Sequence, residues 1–167
     1  MRRPAIDLFF TLLVIAVTAS VNAGDLKAVA EHSGGASNRV TWRIRIANGR
    51  VNVFASAASR NATFEMTDEQ RDHLIALLDE TRFSALRPQY GMGGIELKSC
   101  SMTISWGARK NAVTLLTYSQ RKPPSEAESL EVQRAYRVWD ALKALGRLAD
   151  LPDDCREELD IWEIPPK

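Results

Sequence analysis

RVTWRIRIANGRVNVFA, residues 39–55, is the stretch of the chain with the clearest structural pattern. From Arg39 to Ala47, apolar residues alternate with polar or cationic ones, and this period of two predicts a strand with one buried face. Asn48-Gly49 follows, a pair favoured in two-residue hairpin turns because both turn positions need a positive φ. The alternation resumes at Val51 and Val53, so the stretch predicts an antiparallel hairpin.

Outward from this hairpin, three segments have strand patterns: residues 25–31, 96–106 and 112–118. The last two are joined by a turn and predict a second hairpin. Three other segments are predicted to form no regular helix or full strand, because they are rich in small, polar, Gly or Pro residues: residues 32–38, 55–62 and 84–94. Residues 55–62 are interpreted as a loop or a frayed strand end.

Two helices are predicted between and after the hairpins. Thr67-Asp68-Glu69-Gln70 is a capping box, and the leucines that follow it lie at helical spacing. A longer helix is predicted after Pro123-Pro124-Ser125, with an apolar stripe at Leu130, Val138, Trp139, Leu142, Leu145 and Leu148. The order (β)ββ–α–ββ–α predicts an α+β fold: a mainly antiparallel sheet with two helices covering one face.

The N-terminal residues have the layout of a secretory signal peptide. Arg2 and Arg3 precede the apolar run from Leu8 to Val17, and small residues lead to a predicted cleavage after Ala23. The alternatives are an uncleaved anchor and a buried N-terminal helix. We therefore expect residues 1–23 to be a signal peptide, residues 24–149 a single α+β domain, and residues 150–167 a C-terminal tail. The protein is expected to be periplasmic or secreted, with no stable membrane anchor after cleavage.

The charge balance is close to neutral. The chain has 22 Lys and Arg residues against 21 Asp and Glu residues, a formal net charge of +1. Removing the leader removes two of the basic residues and one acid, which leaves 20 of each sign. Such a balance argues against a protein that relies on broad electrostatic attraction to nucleic acid, and no nucleic-acid partner is expected.

Both cysteines fall in the predicted mature chain. An exported protein meets an oxidising environment, so we expect a Cys100–Cys155 disulfide that ties the tail to the domain. Two free thiols or an intermolecular bridge are the alternatives. The wide spacing does not predict a redox motif or a zinc site, and no metal or other cofactor is expected.

Catalytic motifs are absent from the sequence. His32 and His73 are the only histidines, and the chain contains neither a GxSxG nor an HExxH motif. The acids near Asp150 are interpreted as helix-terminal residues that face water. No catalytic residue is therefore predicted, and the protein is expected not to be an enzyme.

Binding residues are predicted in two Gly-containing loops: Ser33, Gly34, Gly35 and Ala36 in the first, and Tyr90 and Met92 in the second. Glycines allow the backbone of a partner to approach closely. Tyr90 has two alternatives, a lip of the binding site or a ring folded into the core. The cationic strand face, with Arg43 and Arg45, either recruits an acidic partner or is simply solvated.

Several pieces of the chain together resemble small exported bacterial domains of unknown function that are similar to emfourin-type inhibitors of thermolysin-like metalloproteases. These pieces are Glu31-His32-Ser33-Gly34-Gly35, the NG-linked strands, Met66-Thr67-Asp68-Glu69-Gln70 before a Leu-rich helix, and Arg82-Phe83-Ser84-Ala85-Leu86 running to Tyr90-Gly91. The likeness covers roughly residues 26–148. It implies that the Gly-Gly loop engages a protease. Ala36-Ser37-Asn38 departs from the aromatic or aliphatic residue that often follows the glycines in that group, and the cysteines and tail lie outside the pattern.

Three function hypotheses follow. The first is an exported non-catalytic domain that binds a protein partner, of which a protease inhibitor is one form. The second is a structural or assembly component of the cell envelope, suggested by a disulfide-tied tail that carries Trp162. The third is a hydrolase whose site is assembled only by the fold.

Overall fold

The computed structural model describes residues 26–34, 39–56, 58–91, 98–116, 125–151 and 155. The predicted signal peptide, residues 1–23, lies outside these ranges, as do residues 156–167 of the predicted tail. The strands are β1 Lys27–Gly34, β2 Arg39–Ala47, β3 Arg50–Ala55, β4 Arg60–Glu65, β5 Gln89–Tyr90, β6 Ser99–Trp106 and β7 Arg109–Leu116. The helices are α1 Asp68–Glu80 and α2 Glu126–Leu145, with a short 3-10 helix at Phe83–Ala85. Within the described ranges, neither helix combines the length and the apolar character that crossing a bilayer requires.

The strands form one seven-stranded sheet in the order β4-β3-β2-β1-β6-β7-β5. Every pairing is antiparallel except that of β5 with β7. The predicted α+β class, with a mostly antiparallel sheet and two helices, is confirmed. The structure contains two strands that were not predicted, β4 and β5, and they occupy the two outer positions of the sheet.

These two outer strands lie where no full strand was predicted. In β4, Asn61, Ala62 and Thr63 are exposed, so the strand lacks the apolar alternation that marks a buried face. It forms because its backbone pairs with β3 from Arg50↔Glu65 to Ala55↔Arg60. The two-residue β5 pairs in parallel with β7, a partner 25 residues further along the chain that local sequence does not reveal.

β1 also extends further than predicted. His32, Ser33 and Gly34 belong to the strand, although residues 32–38 were interpreted as a loop. β1 lies between β2 and β6, so its backbone is paired on both sides. This double ladder overrides the weak strand preference of small residues and glycine.

Both helices begin as predicted. Thr67 Oγ1 accepts a hydrogen bond from the Gln70 backbone N–H, and Gln70 Oε1 accepts one from the Thr67 N–H, which completes the capping box. Ser125 caps α2 by accepting from the Glu128 N–H. The predicted stripe of α2 was wrong at Leu130, which is 52% exposed. Tyr136 is buried at the core instead.

The core lies between the sheet and α2 at a pair of tryptophans. The rings of Trp42 on β2 and Trp139 on α2 are 4.7 Å apart, and both side chains are fully buried. Gly146, directly after α2, lies so close to the sheet that a Cβ there would be 2.6 Å from Ile44 Cδ1. The helix therefore ends in close contact with β2.

The predicted disulfide is confirmed. Cys100 on β6 and Cys155 are bonded, with their Cα atoms 6.4 Å apart, inside the normal range for such bonds. The Tyr136 hydroxyl donates a hydrogen bond of 2.7 Å to the Cys155 carbonyl oxygen. Both contacts fix Cys155 against the sheet and α2.

One end of the sheet, which we call the turn end, is closed by the two-residue turns Asn48-Gly49 and Gly107-Ala108. Asn48 has φ 52° and Gly49 φ 73°, so the predicted hairpin turn is confirmed in its backbone conformation. The Met66 N–H donates to the Gly49 carbonyl at 2.8 Å, which ties the entry of α1 to the same end.

Candidate binding site

The opposite end of the sheet, which we call the loop end, is formed by Gly34, Arg39, Gly91, Ser99 and Leu116. Strand register places them together: Gly34 pairs with Arg39, Ser33 with Ser99, and Ser99 with Leu116. Tyr90 pairs with Leu115, so Gly91 comes next to Leu116. The two predicted binding loops therefore start from the same end of the sheet.

Ser33 and Gly34 are the described residues of the first predicted loop. The hydroxyls of Ser33 and Ser99 are 2.7 Å apart and hydrogen-bonded across β1 and β6. A Cβ on Gly34 would lie 3.1 Å from Lys98 Cγ, so the Lys98 stem covers this glycine. Gly35 and Ala36 lie outside the described residues.

A β-bulge precedes these residues. His32 pairs with Trp42 while Ser33 pairs with Val40, which leaves Thr41 as an extra residue on β2. Thr41 Oγ1 contacts the His32 ring and donates to the His32 carbonyl oxygen. The bulge therefore fixes the side chain of His32 at the point where β1 approaches the loop end.

Gly91 holds the second predicted loop close to β7. Its φ is +83°, and a Cβ would lie 2.3 Å from the Leu116 carbonyl oxygen. Only glycine meets both requirements without a shift of the backbone. Met92, the other residue predicted here, lies outside the described residues.

Tyr90 has its ring in the core, the second of the two predicted alternatives. The side chain is 1% exposed, and its hydroxyl donates to Glu131 at 2.9 Å while it accepts from the Arg87 N–H at 2.9 Å. Burial raises the pKa of the Tyr90 hydroxyl above its usual value. The hydrogen bond from the Arg87 side chain holds the pKa of Glu131 below its usual value. Tyr90 thus joins the start of the second loop to α2.

The two histidines have different surroundings. His32 is buried between strands and hydrogen-bonded to Thr41, whereas His73 is exposed on α1. His73 borders a groove of about 280 Å³ that is also lined by Leu74, Ala141 and Leu145.

A second surface was only partly predicted. On the face of the sheet that carries Arg43 and Arg45, a shallow cavity of about 340 Å³ is also lined by Asn52, Phe54, Asn61 and Thr63. The alternation of β2 predicted the two arginines, and Arg43 forms an ion pair with Glu31. Phe54, which is 39% exposed, and the polar residues of β4 were missed because β4 itself was missed.

No family model matches the sequence, and a search of curated proteins finds no significantly similar chain.

Proposed function

We propose that this protein is an exported, non-catalytic domain that binds a protein partner with the loop end of its sheet. The observation that carries the proposal is that the strand ends leading into the two predicted binding loops lie at the same end of the sheet. Gly34 lies on β1, and Gly91 directly follows β5. These strands are three strand spacings apart, or roughly 14 Å. A surface of this width suits an extended peptide segment of a partner.

The chemistry of the described residues supports contact through hydroxyl groups and a lysine side chain. The Lys98 stem packs over Gly34, so a partner that approaches this glycine meets Lys98. Ser33 and Ser99 place two hydroxyls beside it, and hydroxyls both donate and accept hydrogen bonds. Lys98 adds a positive charge next to Gly34.

We propose further that both helices cover the same face of the sheet and leave the opposite face open. The ring contact of Trp139 with Trp42 supports this arrangement for α2, and the burial of Leu74, Leu77 and Leu78 supports it for α1. Such a scaffold holds the strand ends rigidly, which lowers the entropy lost when loops bind a partner.

The exported location is part of the proposal. The Cys100–Cys155 disulfide supports it, because such bonds persist in the periplasm and outside the cell and are rare in the cytosol. A partner would then be met in the cell envelope or the medium. A secreted or periplasmic protease is one such partner.

The inhibitor form of the proposal is tested with purified protein against thermolysin-like metalloproteases. We expect inhibition at micromolar concentration, and we expect Gly35→Arg to weaken it at least about tenfold, because a large side chain would block close approach to the loop. Ala108→Arg is the matched control, since Ala108 is exposed at the turn end. The absence of inhibition would remove the protease as partner, and equal losses in the two variants would remove the loop end as the contact surface.

A second candidate function is a structural or assembly role in the cell envelope. The observation that favours it is the double anchoring of Cys155, by the disulfide and by the Tyr136 hydroxyl, directly ahead of residues 156–167 in the sequence. Pull-downs from envelope fractions with the whole protein and with a variant lacking residues 156–167 would test it. Recovery of the same partners with both proteins would contradict this role.

A further inference from the structure

A buried cluster of one histidine and two cysteines lies just inside the loop end. His32 on β1 and Cys100 on β6 are paired across the two strands, and Cys155 is bonded to Cys100. One potential ligand atom from each of the three residues lies within 4.8 Å of the other two. All three side chains are more than nine-tenths buried. The sequence spacing gave no sign of this cluster, since its three residues lie far apart in the chain.

The contacts of Thr41 favour one tautomer of His32. The Thr41 hydroxyl donates its single hydrogen to the His32 carbonyl oxygen at 3.1 Å. With that hydrogen used, its oxygen, 2.5 Å from His32 Nδ1, can only accept there, which favours the tautomer with the hydrogen on Nδ1. In a neutral imidazole, Nε2 then has the lone pair. A histidine whose Nδ1–H is held by an oxygen while Nε2 offers its lone pair is the usual arrangement of a metal ligand.

The separations of the three ligand atoms suit zinc. Zinc bonds to thiolate sulfur at about 2.3 Å and to imidazole nitrogen at about 2.0–2.1 Å, so tetrahedral ligands are roughly 3.5–3.8 Å apart. The His32–Cys100–Cys155 group already falls within 4.8 Å. Two sulfurs that leave a disulfide bond need to separate by roughly 1.7 Å to reach this geometry.

We propose that the reduced protein binds one zinc ion through Cys100 Sγ, Cys155 Sγ and His32 Nε2, so that zinc and the disulfide are alternative states of one site. A dithiol donor supplies two electrons and two protons, the S–S bond breaks to give two thiols, and the donor becomes a disulfide. Zinc then displaces the two thiol protons to solvent and is held by two thiolates and a neutral imidazole. Three protein ligands leave one coordination position for a small exogenous ligand.

The role of Thr41 in this site is that of a positioning residue. It touches the imidazole and not the sulfurs, and it sits at the bulge that gives β2 its extra residue. Loss of such an outer contact typically weakens metal affinity by about 10–100-fold. Thr41→Val keeps the shape of the side chain and removes the oxygen, so we expect a weakening in this range.

The experiment uses purified protein that is reduced with a phosphine in denaturant and refolded without oxygen. Titration with Co²⁺, followed by displacement with Zn²⁺, measures the number of sites through the cobalt–thiolate absorption. We expect one site per chain in the reduced protein, none in the oxidised protein, and release of two protons per zinc. Reduced protein that binds no metal, whether or not it refolds, would overturn the proposal.

His32→Gln is the decisive variant, with His73→Gln as its matched control on the exposed surface of α1. We expect His32→Gln to lose at least about 100-fold in zinc affinity and His73→Gln to lose none. The oxidised form of each variant reports on folding separately, by circular dichroism. If His32→Gln does not fold when oxidised, Thr41→Val replaces it. Unchanged affinity in the folded variant, or equal binding by Cys100→Ser/Cys155→Ser, would contradict the site.

Discussion

At the turn end of the sheet, Asn48-Gly49 and Gly107-Ala108 each join neighbouring strands in two residues. The loop end also has local pairs, at Gly34–Arg39 and Ala55–Arg60, but further contacts there connect residues far apart in sequence. Ser33 and Ser99 are 66 residues apart, and Tyr90 and Glu131 are 41 residues apart. The two turns are thus specified by local backbone preferences, whereas these long-range contacts of the loop end depend on the completed fold.

The disulfide is the strongest of these long-range contacts, and its removal should give the largest effect. We expect Cys100→Ala/Cys155→Ala to lower the free energy of unfolding by about 2–4 kcal/mol, because the unfolded chain loses a cross-link over a sequence separation of 55 residues. Urea denaturation measures this change. A loss below about 1 kcal/mol would mean that the loop end does not depend on the bond.

Gly91 and Gly49 form a matched pair that compares the two ends directly. Both have a positive φ, but a Cβ at Gly91 would strike the Leu116 carbonyl oxygen, whereas a Cβ at Gly49 meets nothing within 4 Å. We expect Gly91→Ala to cost about 3 kcal/mol, from backbone strain and the clash together, and Gly49→Ala about 1 kcal/mol from strain alone.

Thermal or urea unfolding of both glycine variants measures the difference. Equal losses would show that the close approach of Gly91 to β7 carries no energetic weight. A larger loss at Gly49 would reverse the comparison and place the sensitive contacts at the turn end.

The smallest expected effect is a pH dependence at the loop end. Arg87 and Tyr90 lower the pKa of Glu131 in the folded protein, so its contribution to stability is present above the unfolded pKa of about 4.3 and is lost as the pH falls through the folded value. Glu131→Gln should therefore lose less stability than the wild type between about pH 5 and pH 3. The difference should stay under about 1 kcal/mol, because Glu131 is partly exposed.

Glu65→Gln is the control for this measurement at the turn end. Glu65 pairs with Arg50 at 2.9 Å, but both side chains are about two-thirds exposed or more, and such pairs contribute little. Thermal unfolding as a function of pH compares the two variants. An acid profile of Glu131→Gln that matches the wild type would contradict a stabilising role for the Tyr90–Glu131 contact.

Much of the fold could be predicted from short-range signals. Asn48-Gly49, the Thr67–Gln70 capping box and the alternation of β2 each describe interactions within a few residues, and each prediction is confirmed. The disulfide was predictable because only two cysteines are present. β4 and β5 were not predicted, because their side chains show no apolar alternation. Each forms a strand because its backbone pairs with a neighbouring strand.

The candidate site was predictable only as two separate loops. Nothing in the sequence near Tyr90 indicates that Glu131 accepts a hydrogen bond from the Tyr90 hydroxyl. The choice between a Tyr90 ring at the lip of a binding site and one in the core therefore stayed open. The two loops share an end of the sheet because β6 and β7 connect β1 to β5 in the directions observed, which is a property of strand order and pairing. The bulge at Thr41, beside His32, likewise arises from a register shift that no local sequence pattern predicts.

The direction of β1 has a practical consequence for experiments on this protein. Lys27 pairs with Ser105, so the chain enters its central strand at the turn end. A label, resin linker or sensor-chip attachment placed directly before Leu26 would therefore join the sheet at the end opposite Gly34 and Gly91. Immobilisation in this orientation presents the loop end to solution, where its accessibility to a captured partner can be compared with that of protein coupled through surface lysines.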